Sequence, residues 1–120
     1  MAEDTSRETQ ARLRQRALQF LVHCFLYYRL GEPVVSDTFF DRIAEELRQL
    51  RAEHPDADLP HAKLVDPALG PEGSGFSIRD YPPQVVTAAF KLLYASDDSD
   101  DSFTDFVERR GYRAEWPEAG

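Results

Sequence analysis

The chain has 120 residues, 42% of them hydrophobic, and a net charge of −8, which suits one modest core and argues against a disordered chain. That charge disfavours direct nucleic-acid binding, which needs a basic surface, and no apolar run approaches the roughly 18 residues of a membrane span. The acidic start, Met1-Ala2-Glu3-Asp4, does not fit a secretory leader; with a single cysteine, Cys24, no internal disulfide can form, and the expectation is one cytoplasmic domain over 1–120.

Thr5-Ser6-Arg7-Glu8 matches a capping box, with Thr5 as N-cap and Glu8 three residues on. Leu13, Ala17, Phe20, Leu21, Cys24 and Tyr28 then recur at mostly three- and four-residue spacings, which predicts a helix over about 6–30. From Phe20 to Leu26 that helix is apolar nearly all round, with His23 the polar interruption, so several sides need cover. Cys24 is expected to be a buried, inert thiol. Arg7, Arg12, Arg14 and Arg16 spread around more than one face, as a solvated surface does.

Gly31-Glu32-Pro33 ends the helix, since glycine accepts the left-handed cap and proline cannot continue it. Val34-Val35 is a short extended link, and Ser36-Asp37 offers an N-cap. Phe40, Ile43, Leu47 and Leu50 then form a narrow apolar seam, which His54-Pro55 closes. With so short a connection, the two helices are expected to form a hairpin over 6–55. Prolines and glycines punctuate 56–80, read as an irregular loop. Pro82-Pro83 opens a third helix carrying Val85, Val86, Ala89, Phe90, Leu92 and Leu93. After the acidic connector Ser96–Asp101, a short fourth helix carries Phe103, Phe106 and Val107, with Gly111 as its C-cap. These helices span 81–111. A tail over 112–120 carries Trp116, read as a plug folded back on the domain. No alternating pattern demands a sheet, so the expected class is all-α: an antiparallel hairpin plus one or two further helices around a proline- and glycine-rich connection.

Chemistry concentrates at the hairpin's turn. Tyr27 and Tyr28 end one helix, while Asp37 and Asp41 lie one helical turn apart on one face of the next. The short connection draws aromatics and acids together. Such a pocket suits a flat cationic ring, whose charge the π-faces attract and whose polar substituents the carboxylates accept. The same residues also read structurally: Asp37 complements the helix dipole, and Tyr27, Tyr28, Phe39 and Phe40 can serve as core. The residues alone leave both readings open.

The run from Leu26 to Asp56, YYRLGEPVVSDTFFDRIAEELRQLRAEHPD with its leading leucine, resembles domain Ia of NAD-dependent bacterial DNA ligases, a resemblance that covers roughly Leu13 to Asp56. The shared pattern is an aromatic pair, a proline, a Ser-Asp step, an aromatic-Asp step, a leucine-rich helix and a closing His-Pro. The resemblance implies binding of NAD through its nicotinamide mononucleotide half, with Tyr27 and Tyr28 as the aromatic pair, Asp37 and Asp41 as the acids, and Phe40 where the family usually has tyrosine. Gly31 stands where an acidic residue is common.

The ligases' Lys-x-Asp-Gly adenylation motif is absent: the two lysines fall in Lys63-Leu64-Val65-Asp66 and Lys91-Leu92-Leu93-Tyr94. Zinc-binding cysteines are absent too, so no ligase activity is expected of the chain on its own. Gly70–Gly75 lacks the P-loop Lys-Ser/Thr, the aspartates at 97–101 lack the EF-hand glycine and glutamate, and His23, His54 and His61 are scattered, so no metal is expected. Two readings follow. One is a stand-alone module that binds nicotinamide mononucleotide or NAD. The other is a protein-interaction scaffold, or DNA-repair accessory, that kept the hairpin and lost the nucleotide.

Overall fold

A computed structural model describes residues 7–69, 78 and 80–112. Helix α1 runs Arg7–Cys24 and continues as a π-helical turn over Phe25–Leu30. Then come α2 (Asp37–Glu53), α3 (Ala62–Leu69), α4 (Pro83–Ser96) and α5 (Phe103–Arg109). There is no strand among the described residues, and the all-α class holds. The Thr5-Ser6 cap, the Gly70–Gly75 run and the Trp116 plug lie outside the described residues.

Every residue from Phe20 to Leu26 is buried. A stretch apolar around its whole circumference cannot be satisfied by one neighbour. Accordingly α2 packs along α1 as the second arm of the hairpin, α4 packs on α1 and on the π-helical turn, and α3 touches α1 as well. Phe25 is the hub of the far side. Its ring meets Tyr81, Phe90 and Tyr112 edge-on at 5.1, 5.7 and 5.6 Å, the geometry that aromatic quadrupoles favour. The seam on α2 is buried at Ile43, Leu47 and Leu50, while Phe40 is only half-buried at its N-terminal end.

The stops and starts follow local chemistry. Gly31 takes the left-handed conformation at φ 68° and donates its N–H to Leu26 O; Glu32 N–H also donates to Leu26 O, at 2.8 Å. The Ser36 hydroxyl accepts from Phe39 N–H at 3.1 Å, capping α2. Ser102 does the same for Asp105 at the start of α5. Pro83 occupies the first turn of α4, where its missing N–H costs nothing.

The segment expected to be irregular over 56–80 departs from that reading, because Ala62–Leu69 is helical. Three helices therefore follow the hairpin. The flanking prolines hid a short apolar face: Val65, Ala68 and Leu69 are buried at helical spacing. Pro67, inside the helix, removes one backbone donor, and side chains of α2 hold the element instead. Arg51 grips Asp66 with both Nε (3.0 Å) and Nη2 (2.7 Å) and donates to Ala57 O. Arg48 Nε donates to Leu69 O at 3.0 Å. The preceding loop is tied back where Gln10 donates to Asp58 O.

Leu47 is fully buried where α2 faces α1. Leu47→Ala is expected to cost about 2–5 kcal/mol, read as a lower urea midpoint with an unchanged m-value. Gln49→Ala, on the exposed side of the same helix, should stay within about 0.5 kcal/mol.

Candidate functional site

The hairpin's turn carries the site. A π-helical turn closes wider hydrogen-bonded rings than an α-helix, and such insertions recur at functional sites. Here it re-aims the side chains that follow Cys24: Phe25 and Leu26 enter the core, and Tyr27 turns outward, 40% exposed. Tyr28 is half-buried, its ring edge-on to Tyr27 at 4.7 Å.

Across the turn, Phe40 connects the tyrosines to the core. It stacks on buried Phe20 at 5.8 Å, nearly parallel, and on Tyr27 at 6.1 Å; Tyr28 meets it at 6.5 Å. A small cleft between these groups is lined by His23, Tyr27, Pro33, Val35, Asp37 and Phe40. Four of the five sequence-predicted residues, Tyr27, Tyr28, Asp37 and Phe40, are therefore neighbours around one spot. The fifth, Asp41, is exposed one turn further along α2 and does not line the cleft. Nor does Tyr28, which supports Tyr27 and Phe40 instead. The cleft has a volume of about 10 Å³, room for roughly one water molecule. A flat ligand could meet only the open aromatic faces unless side chains move aside.

His23 was not among the predicted site residues, although its isolation in an apolar run was the available signal. It is 7% exposed, and its Nδ1 has no hydrogen-bond partner among the described residues. Burial holds its pKa below the usual 6.5, so the ring is neutral. Its edge meets Phe39, which is 43% exposed, at 6.4 Å. Burial also pushes the neighbouring Cys24 thiol up to about 12, which makes it inert as expected. On another side of His23 lies a larger groove of about 500 Å³ between α1, α4 and the linker. Its apolar lining includes Leu18, Val22, Val34 and Leu92, and none of the five predicted residues reaches it. No group of side chains suited to a metal ion occurs among the described residues.

Residues 6–62 match the model of the DNA ligase-like, N-terminal NAD+-binding domain. That hairpin segment resembles the ligase Ia domain. The DNA ligase of Halorhodospira halophila is 32% identical over 91% of the chain, and that of Myxococcus xanthus is 28% identical over 88%. The DNA ligase of Pseudomonas entomophila reaches 44% over the 39% it shares. The chain spans 15% of the length of each of the first two ligases. No solved structure matches it. The ligase likeness runs well past the expected 13–56 stretch, since two alignments take in about nine-tenths of the chain. The ligase-like turn is thus an aromatic cluster with one carboxylate in its cleft, a second one turn away, and a neutral histidine behind.

His23 also sets a pH response. Its folded pKa lies below the unfolded value of 6.5, so the unfolded chain binds more protons at acid pH. The stability held above about pH 6.5 should fall as pH drops through that value. Urea melts at pH 8 and pH 5.5 should show the loss in the wild type. His23→Leu removes the buried unpartnered nitrogen; it should match or exceed wild-type stability at pH 8 and lose less of it on acidification.

Proposed function

We propose that this ligase-like domain binds the nicotinamide mononucleotide half of NAD at the hairpin's turn, through Tyr27, Tyr28, Asp37, Phe40 and Asp41, and that these 120 residues perform no ligation themselves. The observation that carries the reading is the exposed Tyr27 ring, held against Phe40 with Asp37 in the same cleft. An oxidised nicotinamide ring is flat and positively charged. An open tyrosine face attracts it by about 0.5–2 kcal/mol, and a carboxylate alongside adds charge and accepts its amide hydrogens. The match to an NAD+-binding domain agrees with this chemistry. Adenylation chemistry does not follow from it, because the 120 residues contain no Lys-x-Asp-Gly motif.

The roles divide by position. Tyr27 and Phe40 present the stacking surface, and Tyr28 backs both rings. Asp37 accepts from the ligand in the cleft. Asp41, out on the helix surface, interacts with the part of the ligand that reaches beyond it. Phe40 lacks the hydroxyl that the family usually carries at this point, so one hydrogen bond is missing from the set.

The second reading, a protein-interaction scaffold that has lost the nucleotide, draws support from two observations. The cleft is only about 10 Å³, and the larger groove between α1 and α4 is mainly apolar.

Calorimetric or NMR titration with nicotinamide mononucleotide, NAD and AMP at low salt separates the two. Saturable binding of the first two but not AMP is expected. Asp37→Ala and Asp41→Ala should each weaken it roughly tenfold, the loss of about one charge-assisted hydrogen bond, while costing the fold no more than the roughly 0.3–1 kcal/mol of a charge at a helix N-terminus. Phe40→Tyr should tighten it. Absence of binding at millimolar ligand sinks the nucleotide reading and leaves the scaffold.

A further inference from the structure

The linker over 31–36 joins the two halves of the proposed site. The tyrosines precede it, and Asp37 and Phe40 follow it. Its backbone is anchored at the first end by the Gly31 and Glu32 amides on Leu26 O and at the other by the Ser36 cap. Between these anchors Pro33 is exposed, and Val34 and Val35 are half-buried. Val34 packs against the core, and a further contact on the linker comes from far along the chain. Arg110, at the end of α5, forks onto the Glu32 carboxylate with Nε donating at 2.8 Å and Nη2 at 3.0 Å, across 78 residues of sequence.

Arg110 is itself held at three points. Its Nη1 donates to Phe106 O at 3.1 Å. Its guanidinium lies over the Phe106 ring, 3.9 Å from the centroid. The Glu32 hydrogen bonds are the main reason its pKa is raised further. The arginine side chain is 22% exposed and the glutamate 37%, so solvent screens the pair only partly. A planar fork that is already oriented transmits position better than a flexible ammonium could. Beyond it, Tyr112 wedges between Phe25 and Phe90, which keeps the end of α5 against the π-helical turn.

We infer that Arg110 is a positioning residue for the nucleotide site: through Glu32 it sets the linker, and so the spacing between the Tyr27–Tyr28 pair and Asp37–Phe40. This gives the C-terminal helices, which lie outside the 6–62 family segment, a part in ligand recognition. The claim about affinity rests on the nucleotide-binding reading; the claim about the linker does not.

The test uses the whole chain and two readouts. Amide exchange is followed at Gly31, Glu32 and Phe39, with Leu47 as the core reference, and Kd is measured for nicotinamide mononucleotide. Arg110→Gln and Glu32→Gln should each speed exchange at the linker amides and leave Leu47 unmoved. Each should weaken binding roughly five- to tenfold, the range of coupling expected within one hydrogen-bonded network. Arg110→Lys, which keeps charge but not the fork, should recover only part of both effects. The swapped pair Glu32→Arg with Arg110→Glu should recover more than either single charge reversal. Unchanged linker exchange in Arg110→Gln overturns the inference, as does faster exchange with an unchanged Kd. If the wild type binds no nucleotide, that failure belongs to the proposed function, and the exchange result alone decides whether Arg110 sets the linker. Both Gln variants keep the buried core intact, so loss of Leu47 protection in both would mean that the pair stabilises the whole fold, which also overturns a positioning role.

Discussion

The structure depends on one constraint: the Phe20–Leu26 segment of α1 must be dry on every side. Each phenylalanine, leucine and valine in it is worth about 1.5–3 kcal/mol when fully buried, so leaving any side of the segment in water is costly. A hairpin supplies one covering helix, which is not enough. The rest of the chain is arranged to complete the enclosure, with α4 over the opposite side, Tyr81 and Tyr112 around Phe25, and α3 bridging the arms. His23 lies within the enclosed stretch with an unpartnered nitrogen, and burial keeps it neutral.

That enclosure also produces the site. The π-helical turn begins at Phe25, near the end of the buried run, and it lets Phe25 and Leu26 stay inside while Tyr27 turns out. The exposed tyrosine is thus a by-product of a helix that must change its facing before it stops. Phe40 then passes the order of the core to the surface by stacking on both Phe20 and Tyr27. An aromatic surface built this way is joined to the core at its base and open at its rim.

The ion pairs divide into two kinds. Arg48 with Glu45 lies on one exposed helix face and contributes little. Arg51 with Asp66 and Arg110 with Glu32 connect separate elements, the second across 78 residues of sequence, and each is a two-pronged fork. Their value is geometric: they place α3 on α2, and α5 on the linker.

The sequence by itself determined the helices that announce themselves through periodicity and caps. The α1 and α2 faces, the Gly31 stop, the Ser36 cap and the Pro83 start were all legible, because they depend on residues within one helical turn of each other. Also legible were the buried thiol and the kinship of the turn with ligase domain Ia, which rests on residue types at fixed spacing. Only the tertiary structure decided that Ala62–Leu69 is a helix, since its support comes from Arg48 and Arg51 on another element while its own prolines argue against it. It alone separated Asp37, in the cleft, from Asp41, outside it, although both share a helical face. It also set His23 behind the site and joined Arg110 to Glu32. Local spacing cannot carry such facts, because they arise from where one element lies on another, and that is decided by how the apolar surface of α1 is shared among its neighbours.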